Sequence, residues 1–249
     1  MNFKTPTQIP ENLDPQKLPA HIAIIPDGNG RWAKKRLMNR IKGHEKGMET
    51  VREIVKACRN LGISTLTFYV FSTENWRRPK AEITALMVLL KSFLLSEEKE
   101  MLKNNIRLHT IGQTHGLPDS VRHALEHCME VTCQNNGMVL NLALNYGSRA
   151  EIVDMVKTIS LKVANGRLDS NDITTKLVAD HLYTGNLIDP DLLIRTSGEM
   201  RVSNFLLWQI AYTEIYITGT LWPDFGRDEF LRILMDYQGR DRRFGTVHP

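Results

Sequence analysis

The sequence predicts an α/β fold: a single domain with a largely parallel central sheet flanked by helices. Three observations carry this reading. Short apolar or β-branched runs alternate with longer amphipathic ones. Glycines stand where helical runs should stop. The unusual polar residues gather just after the short runs, where open parallel sheets bind their ligands. Such alternation calls for strands joined by crossover helices on both faces of the sheet.

Each element follows from its own residues. HIAII (residues 21–25) reads as a buried strand. HEKGMETVREIVKACRNLG (44–62) is an amphipathic helix: Met48, Val51, Ile54, Val55 and Cys58 recur at helical spacing, and Gly62 stops it. ISTLTFYVF (63–71), rich in β-branched and aromatic residues, is a strand. Pro79 suits the first turn of a helix that runs to about residue 104. NIRLHTIG is the next strand. PDSVRHALEHCMEVTCQNNG is a helix capped at Asp119 or Ser120 and closed by Gly137. MVLNLALNYG is a strand, SRAEIVDMVKTISLKVANG a helix and TTKLVADHLYTG a shorter one. DLLIRTSG and TEIYIT are strands, and DEFLRILMDYQGRDRRFG is the closing helix. Residues 1–19, polar and carrying four prolines, are expected to form a flexible arm before a domain over 20–249.

Composition narrows the function. At 42% hydrophobic and 24% charged, the 249-residue chain is an ordinary globular protein, long enough for a substantial core. A net charge of +4 makes no case for nucleic acid, yet a local Arg/Lys cluster suits a phosphorylated ligand. Cys58, Cys128 and Cys133 are odd in number and lack zinc spacing, which suggests reduced thiols in the cytoplasm. The beginning of the chain lacks the apolar core of a signal peptide. No apolar run approaches the ~20 residues that span a bilayer, so membrane contact is expected to be peripheral.

Four expected strand ends supply one crevice. Asp27, Gly28, Asn29, Gly30 and Arg31 follow the first; Ser72, Thr73, Glu74, Asn75, Trp76 and Arg78 follow the second. Asn145, Tyr146 and Arg149 follow LNLAL; Arg195, Thr196 and Ser197 follow DLLI, with Arg201, Val202 and Ser203 close behind. Arg forks match phosphate oxygens, and glycines let backbone N–H groups approach an anion. A carboxylate among so many cations suits Mg2+, which takes one or two carboxylates and completes its shell with phosphates and water. DGNG alone would equally suit a plain turn. A phosphate-binding GxxxxGK[ST] loop, a GxGxxG fingerprint and a DDxxD box are all missing. By these residues alone a Mg2+-dependent phosphohydrolase with Asp27 as nucleophile stays open.

DGNGRWAKKR, GHEKG, FSTENWRRP, ALNYGSR and IRTSGEMRVSNFLLWQIAYTEIY together resemble the cis-prenyltransferases, the undecaprenyl diphosphate synthase family, over about residues 20–245. The resemblance implies a Mg2+-dependent homodimer with a hydrophobic tunnel. Such an enzyme adds isopentenyl diphosphate repeatedly to an allylic diphosphate such as farnesyl diphosphate. The product it implies is undecaprenyl diphosphate, the cell-wall lipid carrier, released at a membrane surface. A short-chain Z-prenyl synthase or a non-catalytic subunit of the same fold are the alternatives. By the same resemblance, Asp27 and Asn75 are catalytic, Asp27 and Glu214 hold the metal, and Gly28, Asn29, Gly30, Arg31, Trp32, Arg40 and His44 grip the allylic diphosphate. Ser72, Thr73, Glu74, Trp76, Arg78 and Glu82 line the substrate junction. Arg195, Arg201, Val202 and Ser203 hold isopentenyl diphosphate, and Arg243 and Gly245 belong to a tail reaching the partner subunit. Pro26, the tail RRFGT and Val70 depart from the family pattern, and Val70 bears on product length. The helix after Pro79, apolar on more than one face, is expected to wall the tunnel.

Overall fold

The computed structural model describes residues 13–185 and 187–240. Six strands form one sheet: β1 (His21–Ile25), β2 (Thr65–Ser72), β3 (Ile106–Ile111), β4 (Met138–Tyr146), β5 (Leu192–Arg195) and β6 (Glu214–Ile217). Their order is β3-β4-β2-β1-β5-β6, and every neighbouring pair is parallel. The chain builds outward from β1 through β2, then returns to place β5 on the other side of β1. The sheet therefore reverses between β1 and β5, and Ile25 pairs with Arg195 at the carboxyl end of that seam. A crevice opens at such a switch point.

The helices are α1 (Asn29–Lys35), α2 (Arg40–Leu61), α3 (Lys80–Lys103), α4 (Asp119–Val131), α5 (Ser148–Ala164), α6 (Thr175–Asp180) and α7 (Arg227–Gln238). One face of the sheet carries the main core: Ile22, Ile24, Leu66 and Phe68 meet Ile54 of α2, Leu94 of α3, Leu125 of α4 and Phe230 of α7. The other face packs Ala23, Ile25, Leu193 and Tyr146 beneath Phe205 and Leu206. That cover is mostly the irregular segment between β5 and β6, where helices alone were expected. α5 and α6 pack together as a separate small cluster through Met155 and Ile159.

Several boundaries differ from the sequence reading. The sequence reading assigns no element to α1, whose first turn carries the poor helix formers Asn29 and Gly30. It is held by docking instead: Ala33 is buried and Trp32 Nε1 donates to Asp224 Oδ1 at 2.6 Å. α2 begins at Arg40, four residues earlier than expected, because Asn39 Oδ1 caps Ile41 N at 3.1 Å. Gly62 ends it in the left-handed conformation (φ 76°). α4 stops at Val131 because Thr132 Oγ1 turns back to Cys128 O (2.6 Å) and accepts from Leu108 N of β3 (3.1 Å). The arm expected over 1–19 joins the body from Leu13, which is buried in the core, while Asp14 exchanges hydrogen bonds with Gln238.

Candidate active site

At the β1/β5 seam, Asp27 leaves β1 and Arg195 ends β5. Arg195 is buried, and its guanidinium reaches Asp27 Oδ2 (2.9 Å), Ser203 Oγ (2.8 Å) and the carbonyl of Arg201. Arg31 Nη2 approaches the same Asp27 oxygen at 3.3 Å. Burial by itself would raise the Asp27 carboxyl, but the Arg195 hydrogen bond and the charges of Arg31 and Arg195 outweigh it and hold the carboxyl below its ordinary value. Asp27 is thus ionised throughout the neutral range.

Close backbone approach explains the glycines around it. Gly28 has φ 108°, and a Cβ there would meet Leu221 Cδ2 at 2.9 Å. Gly43 and Gly47, one turn apart on α2, form a notch that receives Asn29. A Cβ at Gly43 would strike the Asn29 carbonyl, and one at Gly47 the Asn29 side chain. GHEKG therefore reads physically as the seat of α1, and α1 sets the loop beside Asp27.

A cavity of about 670 Å3 opens here, well within the range of small-molecule sites. Its polar end is lined by Asp27, Gly28, Asn29, Gly30, Arg40, His44, Ser72, Glu74, Asn75, Arg78, Arg195, Arg201 and Ser203. Arg31 lines a smaller recess beside it, together with Arg40. Glu82 does not line the cavity. It positions residues that do: Arg78 Nη1 lies 3.1 Å and Arg40 Nε 3.3 Å from its Oε1. His44 sits among these groups, and burial with the charges of Arg78 and Arg40 lowers it to about 4, so the imidazole is neutral. Its Nε2 is buried without a hydrogen-bond partner among the described residues. Asn75 Oδ1 accepts from Ser72 N at 3.2 Å, which fixes the amide at the cavity wall.

The other end is apolar. Leu86, Met87, Leu89, Leu90 and Phe93 of α3 face Met48 and Val51 of α2 across Phe68 and Leu142 of the sheet. α3 is thus a wall of the cavity as well as core. The β2–β4 register slips between Tyr69 and Phe71, and Val70, at this irregularity, lines the cavity.

Not every sequence candidate arrives. Trp32 lines neither recess; it is buried against Asp224, with Arg36 over its ring at 4.2 Å. Trp76 is likewise off the cavity wall: it stands edge-on to Phe71 and donates to Asn145 Oδ1 at 2.7 Å. Thr73 packs at Gly147, Val202 joins the second core layer, and Arg149 is exposed away from the lining. Glu214 opens β6 opposite Leu192, at the far end of the sheet from Asp27, and pairs with Arg240 at 2.9 Å. Within one chain these two carboxylates cannot share an ion. Arg243 and Gly245 lie outside the described residues.

Sequence reasoning missed three groups. Asn204 lines the cavity with φ 62°: its O and Oδ1 accept from Ser148 N (2.8 Å) and Arg149 N (2.9 Å), and its amide donates to Glu74 Oε1 (2.9 Å). Tyr69 OH reaches the Ser203 carbonyl at 3.3 Å. Glu199 pairs with both Arg31 and Arg201. An Asn in a polar SN pair was the one visible hint.

Among the described residues no three His, Cys, Asp or Glu side chains group as a metal site. One ionised carboxylate at an arginine-rich pocket fits Mg2+ held mainly by ligand oxygens, and Asp27 is the residue that would hold it.

Fold and site together define a class: a parallel α/β protein with one cavity that is cationic and rich in hydrogen-bonding groups at one end and apolar at the other. The undecaprenyl diphosphate synthase family model matches residues 25–245, and the chain belongs to this family of prenyltransferases. It is 53% identical to an isoprenyl transferase of Geobacter sulfurreducens, covering 94% of this chain and 96% of that one. It is 51% identical to an isoprenyl transferase of Heliobacterium mobile, covering 95% and 91%. A crystal structure of lavandulyl diphosphate synthase from Lavandula x intermedia, in complex with dimethylallyl diphosphate, superposes with a TM-score of 0.91 at 38% identity, covering 92% of this chain and 99% of that one.

Proposed function

We propose that this prenyltransferase adds isopentenyl diphosphate to an allylic diphosphate, with farnesyl diphosphate as primer, to give a Z-polyprenyl diphosphate, and that its product is undecaprenyl diphosphate. One observation carries the reading: a single continuous cavity is lined at one end by the Asp27–Arg195 pair and at the other by the apolar wall of α3. Phosphate-only chemistry has no use for the apolar half, which disfavours the phosphohydrolase.

The roles follow from placement. Arg31, Arg40 and Arg78 bind the allylic diphosphate, and their charge counts most as the leaving oxygens become more negative. Arg195, Arg201 and Ser203 hold isopentenyl diphosphate beside it, which lowers the entropic barrier. The isopentenyl double bond attacks the allylic carbon, the carbon–oxygen bond to diphosphate breaks, and a proton leaves the new chain for the departing diphosphate. Asn75 orients the reacting groups; a neutral amide whose oxygen is already engaged is no base. Mg2+ at Asp27 would neutralise diphosphate charge. The apolar walls exclude water and receive the growing chain.

We further propose a cytoplasmic homodimer that releases its product at a membrane surface. β6 is a sheet edge with exposed Ile215, near exposed Leu207, Trp208 and Tyr212 in sequence, which suits a subunit contact. No helix among the described residues is long and apolar enough to cross a membrane.

The test is incubation with farnesyl diphosphate, labelled isopentenyl diphosphate, Mg2+ and mild detergent, followed by separation of lipids by length. A ladder ending near the undecaprenyl length, lost in Asp27→Ala, supports the proposal. A stop after one or two additions assigns a short-chain product, the outcome that Val70 at the cavity wall would favour. No labelled lipid with any allylic primer refutes catalysis.

A further inference from the structure

The turn after α1 is built in a way that prenyl transfer does not explain. Leu37 N donates to Lys34 O at 3.1 Å and Met38 N to Ala33 O at 2.9 Å, closing the helix with Leu37 in the left-handed conformation (φ 57°). Glycine is the usual residue at such a cap, and a leucine is strained there. The protein buries almost none of that leucine in return. Its side chain is 98% exposed, the most exposed large hydrophobic among the described residues, and Met38 beside it is 49% exposed. Between Asp27 and Glu45 the chain carries six Lys or Arg and no acid. Arg31, Arg36, Arg40 and Lys42 have acidic partners. Lys34 and Lys35 are exposed and have no ion pair among the described residues. An apolar tip inside a one-signed collar borders the recess that holds Arg31.

We propose that the Lys34–Arg40 turn docks on an anionic phospholipid surface, with Leu37 and Met38 entering the headgroup boundary and Lys34 and Lys35 meeting the phosphates. Exposed apolar side chains beside unpaired cations are what interfacial binding uses. A two-residue tip is far too small for a stable protein contact, which buries about 800 Å2 on each side. The location places the Arg31 recess, which adjoins the cavity at Asp27 and Arg40, at the bilayer. That last point rests on the proposed product; docking itself needs no turnover.

The test is sedimentation of the full chain with vesicles of phosphatidylcholine alone or with one-third phosphatidylglycerol, at low and high salt. The wild-type chain is expected to partition onto the anionic vesicles and to leave them as salt rises. Leu37→Gly should weaken this partition about ten-fold, and Lys34→Gln with Lys35→Gln about five-fold per charge. Leu37→Gly should melt no lower than wild type, since glycine suits the backbone, and should keep its turnover in detergent. Equal partition onto neutral vesicles, or no effect of either variant, overturns the proposal. So does a loss of turnover in detergent by Leu37→Gly, which would mean that Leu37 closes on substrate. A changed oligomeric state in Leu37→Gly also overturns it, assigning the turn to contact between copies. Vesicle binding that depends on Leu37 in a chain without prenyl transfer would refute the proposed function and leave the docking intact.

Discussion

Gly43→Ala tests whether the seat of α1 positions the site. The added Cβ would lie 2.8 Å from the Asn29 carbonyl carbon, closer still to its oxygen, and 3.3 Å from Ala33 Cβ. Carbon atoms rest at about 3.5–4 Å, and backbone cannot rotate aside, so α1 must move off α2 by roughly 1 Å. Overpacking costs about 1–3 kcal/mol, and an obstruction made of backbone puts this variant near the upper end. At about 2–4 °C per kcal/mol for a chain of this size, the melting temperature should fall by about 6–12 °C. Asn29 follows Asp27 by two residues, so the same displacement reaches the carboxylate, and 1 Å of misplacement costs on the order of 100-fold in kcat/KM. Gly62→Ala is the control. It has φ +76° and open space around it, so it costs only about 1 kcal/mol of backbone strain and should leave kcat/KM unchanged. Thermal melts and a prenyl-transfer assay read both variants. A Gly43→Ala protein that melts within about 2 °C of wild type and turns over normally would refute the notch as the origin of the site's geometry.

Further outcomes follow from other contacts. Arg195→Lys cannot reach Asp27, Ser203 and the Arg201 carbonyl together; it should cost about 2 kcal/mol of stability and about 100-fold in kcat/KM, measured by urea unfolding and steady-state kinetics. His21 Nδ1 donates to Ile188 O (2.6 Å) and its Nε2 accepts from Thr67 Oγ1 (2.7 Å), and burial lowers the ring from 6.5 to about 4. The unfolded chain then binds the extra proton first, so stability is complete above pH 6.5 and falls as pH drops toward 4. Urea midpoints should show about 2 kcal/mol less stability at pH 5 than at pH 7 from this residue, a difference that His21→Gln should remove. Because one carboxylate is a weak metal site by itself, EDTA should abolish turnover without moving the melting temperature of the unliganded protein. Mg2+ with isopentenyl diphosphate should raise that temperature, and a large shift from Mg2+ alone would contradict a ligand-borne site.

Much of this protein is decided by local sequence. The apolar run of β1, the helical spacing ending at Gly62 and the strand-like TLTFYVF each read correctly because hydrophobic period and glycine chemistry act within a few residues. The alternation of those runs dictates parallel pairing, and parallel pairing puts Asp27 and Arg195 at the same edge of the sheet. Pattern does not say which strands are neighbours. That β5 returns beside β1, joining Asp27 to Arg195, is a matter of long-range packing and not of local pattern. α1 has no strong propensity of its own and exists because Gly43 and Gly47 leave room for it. Trp32 and Trp76, polar-tipped aromatics in site motifs, are turned into packing by Asp224 and Asn145, acceptors far away in the chain. Glu82 looks like a helix-start acid, yet it organises Arg40 and Arg78. Glu214 stands at the beginning of its strand, and in a parallel sheet that sends it to the end opposite Asp27. Residue type and spacing determine which groups the chain can offer; only the long-range packing of α2, α3 and the β5–β6 segment decides which of them meet.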